Sequence, residues 1–154
     1  NDIVSYCHDL AKAHLRKTNT EVLFDLSVEL PMLVVDFNQV SQVIINLMIN
    51  AIEAMPEGGV LSIRTRFQEE PEAIVLEVVD TGQGILEEDR DRIFDPFFTR
   101  KSEGTGLGLS ISRQILEKHG AFIEMDSQVG EGTTFRIIFP FTSYAHATEV
   151  DTKH

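Results

Sequence analysis

The 154-residue chain has no tryptophan, two tyrosines and a single cysteine, Cys7. One thiol excludes an internal disulfide and fits a reducing compartment. Basic residues are scarce: 13 Lys and Arg face 25 Asp and Glu, a formal net charge of −12. Such a surface repels a phosphodiester backbone, which argues against nucleic acid as a partner. A polyphosphate ligand would need a metal ion or a few local cations to offset the repulsion. No run approaches the roughly 18 apolar residues of a membrane span, and no charged-then-apolar leader is visible. No direct membrane contact is therefore expected of this domain. The chain starts at Asn1 rather than Met, which predicts a piece of a longer protein. The five histidines share no metal-ligand spacing, and there is no Ser-His-Asp or Cys-His pattern. What is present is ordinary for a globular domain: 42% apolar and 25% charged residues. The length suits one domain with a genuine core.

Apolar residues at Ile3, Val4, Cys7, Leu10 and Ala11 predict a helix from Asp2 to about Arg16. "EVLFDLSVELP" alternates as a strand ended by Pro31, and "LVVD" (Leu33 to Asp36) reads as a second, short strand. Asp36 and Gln39 have the spacing of a capping box. Val40, Val43, Ile44, Leu47, Met48, Ala51 and Met55 then mark the clearest helix, stopped by Pro56 and Gly58. "VLSIRTRF" and "AIVLEVVD" predict a hairpin whose second strand is the more buried. "LEEDRDRIF" reads as a short charged helix, "DPFFTRKSEGTG" as a loop and "LGLSISRQILEKHG" as an amphipathic helix capped by Gly120. Two final strands, "AFIEMDS" and "TTFRIIFPF", precede a tail from Ser143 to His154. Six strands against four helices exceed a strict strand–helix alternation. The fold class expected is α+β: a two-layer sandwich with a mixed, mostly antiparallel sheet and helices on one face.

Four short stretches could carry chemistry. In "DTGQGI", Asp80 ends an apolar strand, where an ionised carboxylate accepts hydrogen bonds and suits a ligand amino group. Gly82 and Gly84 would let backbone approach a flat ligand; a plain turn is the alternative. Asn46 and Asn50 lie one helical turn apart with Glu53 beyond, and carboxamide oxygens suit Mg²⁺; two half-exposed asparagines are the bland alternative. "GTGLGL" opens a helix, where N–H groups and the helix dipole favour an anion, although no P-loop lysine follows and the third glycine of a dinucleotide fingerprint is absent. Arg100 and Lys101 precede it as two adjacent cations, or simply a solvated pair. His119 closes a helix, where a cation is favourable.

In their order, "NLMINAIEAM", "DTGQGI", "FDPFF", "GTGLGL" and "GEGTTF" resemble the asparagine, glycine and phenylalanine boxes of the catalytic ATP-binding domain of bacterial sensor histidine kinases. The resemblance spans about Asn19 to Phe141 and is nearest to the nitrogen-regulator type. It implies the Bergerat sandwich shared with gyrase and MutL, with residues 1–142 as the domain and 143–154 as a tail or linker. It implies ATP or ADP with Mg²⁺ as ligands. Asp80 would take the adenine amino group, with Gly82, Gly84, Ile85, Phe94 and Thr133 around the base. Asn50 would bind the metal, with Asn46 beside it near the phosphates. Gly104, Thr105, Gly106, Leu107, Gly108 and Leu109 would form the hinge and phosphate end of a mobile lid from about Asp95.

Two departures qualify this picture. Many relatives carry a lysine three residues after the metal asparagine, and here Glu53 stands there. Arg100 and Lys101 are then expected to neutralise phosphate, with Asn46, Asn50 and Lys101 as the catalytic set. Hydrolysing cousins carry a glutamate four residues before that asparagine, and here it is Asn46; a carboxamide is no base, so hydrolysis should be slow. The resemblance further implies a phosphoacceptor histidine on a separate dimerisation domain, absent here, with residues 1–18 leading from it. It also implies a response-regulator partner, a homodimeric whole protein and a cytoplasmic location, with or without a membrane anchor elsewhere. A serine kinase or ATPase on the same fold, and a nucleotide-dependent interaction module without transfer activity, are the competing readings.

Overall fold

The computed structural model describes residues 1–141; the expected tail 143–154 lies outside them. Helix α1 (Asp2–Thr18) buries Val4, Cys7, Ala11 and Leu15, one stripe at steps of three and four. Helix α2 (Phe37–Glu53) buries Val40, Val43, Ile44, Leu47, Met48, Ala51 and Ile52, so nearly its whole inner half is core. Helix α3 (Gly108–Lys118) contributes Ile115 and Leu116. The three helices cover one face of a five-stranded sheet made of β1 (Thr20–Leu26), β2 (Gly59–Glu69), β3 (Glu72–Asp80), β4 (Phe122–Gln128) and β5 (Gly132–Pro140), in the order β1-β2-β3-β5-β4. β1 and β2 pair in parallel and every other neighbour is antiparallel, as the α+β expectation requires.

The register explains why one face is dry. Ile63, Val78, Phe135 and Met125 form one row across β2, β3, β5 and β4 and point into the core with the helices. One residue along, Arg64, Glu77, Arg136 and Glu124 form the neighbouring row on the opposite face, tied by Arg136 Nε to Glu77 at 2.9 Å. Side chains alternate faces along a strand, so the two rows differ only by one step.

Four expectations about elements are corrected. "LVVD" is not a strand: Leu33 and Val35 turn into the core, while Met32 and Val34 face solvent at 90% and 98% exposure, and no strand pairs with it among the described residues. The sheet therefore has five strands rather than six. The Asp36 carboxylate does cap α2, accepting from Gln39 N–H at 2.9 Å. The return half of the capping box is replaced, because Asp36 N–H donates to His119 Nε2 at 3.1 Å. His119 thereby links α3 to α2, with Nδ1 turned to the Ile115 carbonyl at 2.8 Å. Lastly, "LEEDRDRIF" forms only a 3-10 turn, η1 (Glu87–Asp89), followed by further turns. Its Glu88 and Asp89 carboxylates accept from Arg100 and its Arg90 guanidinium donates to the Ser127 carbonyl.

Candidate functional site

Asp80 is the last residue of β3 and lies on the core-facing side, 6% exposed. It sits in a register row with Leu61 on β2, Thr133 on β5 and Ser127 on β4. That row is a polar end to an otherwise apolar face. Asp80 Oδ1 accepts from Gly82 N–H at 2.9 Å and from Thr133 N–H at 3.2 Å. Oδ2 receives no hydrogen bond among the described residues. One oxygen is thus fixed by the fold and the other is left for a donor. Burial pushes the Asp80 carboxyl above its ordinary range, and the two N–H groups partly offset this.

The rest of the row is hydrogen-bonded into a unit. Ser127 Oγ lies 2.9 Å from Thr133 Oγ1 and accepts from Ile85 N–H at 2.8 Å. The glycines after Asp80 serve the chain itself rather than open space. A Cβ on Gly82 would meet the Ala54 carbonyl at 2.5 Å, so the turn packs directly on the end of α2. Gly84 similarly lies on Gln128 of β4.

One wall is α2. Asn50 and Glu53 face the lid loop, and Lys101 bonds both, reaching Asn50 Oδ1 at 3.2 Å and pairing with the Glu53 carboxylate. A carboxamide oxygen is a hard donor of the kind Mg²⁺ takes, and here the Lys101 ammonium occupies it. Among the described residues no group of three His, Cys, Asp or Glu is gathered. Asn46 bonds across to α3. Its Nδ2 donates to Ser112 Oγ at 3.2 Å, and its Oδ1 fills the space a Cβ on Gly108 would need. It locks α2 to the start of α3.

The loop from Asp95 to Leu107 is the second wall. Phe97 N–H bonds the Gly106 carbonyl at 2.9 Å, closing the loop at its base. Phe94 is half-buried and meets Phe135 edge-on, with Arg113 over its ring at 5.6 Å. Gly104 bonds Lys101 by backbone at 3.3 Å, Thr105 Oγ1 accepts from Leu107 N–H at 3.3 Å, and Leu109 packs on the core. Arg100, expected beside the phosphates, bonds Asp89 and Glu88 of η1 in this structure. Asp89 is held well below the usual carboxylate range by that guanidinium.

Asp80, Thr133 and Ser127, with Ile85 bonded to them, make the candidate floor, and Asn50 bonded to Lys101 makes the candidate mouth. The fold sends Asn46 to a helix seam and Arg100 to η1. Ser127 and Asp89 escaped the sequence reading, since a serine in a strand and an acid in a charged run carry no local signal. A groove of about 410 Å³ along α1, α2 and α3, lined by Tyr6, Leu10, Ile45 and Ile111 among others, shares Asn46 and Gly108 but excludes Asp80. It lacks a buried carboxylate.

Comparison with known proteins agrees with this geometry. Residues 35–143 match the family described as histidine kinase-, DNA gyrase B- and HSP90-like ATPase. The chain is 47% identical over 120 residues to the sensor kinase CckA of Brucella abortus, covering 68% of the chain and 13% of that protein. It is 35% identical over 140 residues to the sensor histidine kinase ZraS of Escherichia coli (strain K12), covering 91% of the chain and 30% of that protein. The chain therefore spans less than a third of the length of either relative. The nucleotide-free catalytic domain of histidine kinase ThkA superposes with a TM-score of 0.80 at 35% identity, over 91% of both chains. The chain belongs to the histidine kinase-, gyrase B- and HSP90-like ATPase family, among the ATP-binding catalytic domains of histidine kinases.

Proposed function

We propose that this domain holds Mg-ATP with adenine on Asp80 and that, in the whole protein, the γ-phosphoryl passes to a histidine of a separate dimerisation domain, then to a response-regulator aspartate. The observation that carries the reading is the divided carboxylate of Asp80, one oxygen bonded by the fold and the other open. Adenine presents an amino donor to it. Guanine would present a carbonyl, leaving two acceptors opposed at a cost of roughly 1–3 kcal/mol. Thr133 and Ile85 border the base, and Asn50 is the metal ligand. Mg²⁺, when bound, neutralises phosphate charge at the mouth. Lys101 completes that neutralisation from the lid, taking the part of the lysine that Glu53 displaces. Asn46 has its amide engaged by Ser112 and offers no base, which supports slow hydrolysis. Phosphoryl transfer asks chiefly for positioning and charge neutralisation, so the lack of a base is no obstacle. The partners are the dimerisation domain of the same protein and a response regulator, in a cytoplasmic homodimer.

The pairing of Lys101 with Glu53 favours one second reading, a nucleotide-dependent interaction module in which the lysine never reaches phosphate. The test mixes this chain with a helical-hairpin domain bearing the acceptor histidine and γ-labelled ATP. Label on the histidine, lost in Asn50→Ala, supports the kinase. Nucleotide binding without any label supports the module.

A further inference from the structure

Arg100 and Lys101 are consecutive, yet they leave the loop in opposite directions. Lys101 reaches α2 at Asn50 and Glu53, while Arg100 reaches η1. Asp89 is 4% exposed, and a single guanidinium takes both of its oxygens, Nε to Oδ2 at 2.6 Å and Nη2 to Oδ1 at 2.7 Å. Glu88 accepts a further bond from Nη2 at 2.8 Å. A two-pronged guanidinium–carboxylate pair fixes direction as well as distance.

The Asp89 end is itself anchored. Its N–H donates to the Leu86 carbonyl at 2.9 Å, and its carbonyl accepts from Arg92 N–H at 2.8 Å. Next to it, Arg90 Nη2 donates to the Ser127 carbonyl at 2.5 Å. Ser127 belongs to the row that also holds Thr133 and Asp80. The lid is thus tied to the frame of the floor, although neither Arg100 nor Asp89 belongs to the floor. Beyond that tie the segment is held by the Phe97–Gly106 bond, by Phe98 on the core and by Lys101; Phe97 is 75% exposed, and Arg100 through Thr105 are exposed throughout.

We propose that Asp89 and Arg100 are a positioning pair for nucleotide binding: the clamp holds the lid across the mouth and thereby aims Lys101 at Asn50 and the phosphates. The proposal deepens the nucleotide reading above and rests on it. It removes Arg100 from the phosphate ligands and gives Asp89, which touches no nucleotide, control over how firmly phosphate is held. The effect is confined to the phosphate end, because the base meets Asp80, Thr133 and Ile85.

The test titrates Mg-ADP and, separately, adenosine into the parent chain, Arg100→Ala, Asp89→Asn and the double variant, with thermal midpoints measured alongside. Mg-ADP affinity falls roughly tenfold in each single variant and no further in the double, while adenosine affinity is unchanged. Arg100→Lys, which keeps the charge and loses the fork, recovers only part of the loss. Arg100 is an exposed loop residue, so its variant tests the idea even if Asp89→Asn is poorly folded. A loss in Arg100→Ala with none in a folded Asp89→Asn would make Arg100 a direct phosphate ligand and overturn the proposal. Equal losses of adenosine and Mg-ADP would reduce the pair to scaffold, and unchanged Mg-ADP affinity would leave it idle; both overturn it. A parent chain that binds neither ligand sinks the nucleotide reading itself, and this proposal with it.

Discussion

Asp80 and Asp89 are both buried carboxylates, and the molecule treats them oppositely. Asp80 is raised by desolvation, so its ionised form costs stability that its open oxygen recovers only on meeting a donor. Asp89 is lowered by Arg100, so its ionised form stabilises. The linkage signs follow. The Asp80 contribution is fully present below the ordinary carboxylate pKa of about 3.9 and is lost as pH rises through the raised folded value. The Asp89 contribution is present above about 3.9 and is lost as pH falls through its depressed value. Asp80→Asn keeps an oxygen for Gly82 and Thr133 but turns an amide donor toward the ligand. Thermal unfolding should show it more stable than the parent at neutral pH, by a margin that shrinks in acid. Calorimetry should show ADP binding at least about tenfold weaker, or 1.4 kcal/mol. Asp89→Asn should show the reverse stability trend, its deficit closing in acid. A parent that outlasts Asp80→Asn at neutral pH would refute the desolvation account.

Among the elements, α2 carries the most. Leu47 and Met48 are completely buried, and the same helix presents Asn50 and Glu53 to the mouth and Asn46 to α3. Its amphipathic period was readable in the sequence because burial on one stripe forces steps of three and four. Its cap was half readable: Asp36 bonds Gln39 N–H locally, but the His119 contact joins residues 83 apart in sequence. Leu47→Ala should cost about 2–5 kcal/mol, the price of a cavity in packed core. Asp36→Ala should cost only about 1 kcal/mol. Urea unfolding checks both, and a Leu47→Ala cost no larger than that of Asp36→Ala would contradict the assignment of α2 as the centre of the core. β1 shows the opposite case. Its alternation extended on paper to Pro31, yet the strand stops at Leu26, because pairing with β2 ends at Thr65 and no other strand lies beside the continuing chain.

At the scale of the whole molecule, the acidity acquires a consequence. The net charge is −12, and the two lid cations are engaged by carboxylates, Arg100 by Asp89 and Glu88, Lys101 by Glu53. Metal-free ADP therefore approaches a repulsive field, which salt screens over roughly 10 Å at 0.1 M. Stopped-flow association of metal-free ADP should quicken as ionic strength rises; slowing would mean that the lid cations dominate the field. The same scale separates what was legible from what was not. Helices α1, α2 and α3, the β2–β3 hairpin and the family resemblance were legible along the chain, because periodicity and turn chemistry are local. Packing set the bonds of Arg100 to Asp89 and of Asn46 to Ser112, put Ser127 in the Asp80 row and left "LVVD" without a partner strand among the described residues. Those outcomes depend on which side chain or strand lies within reach across tens of residues, and that distance is set by sheet register and helix packing, not by neighbours in the chain.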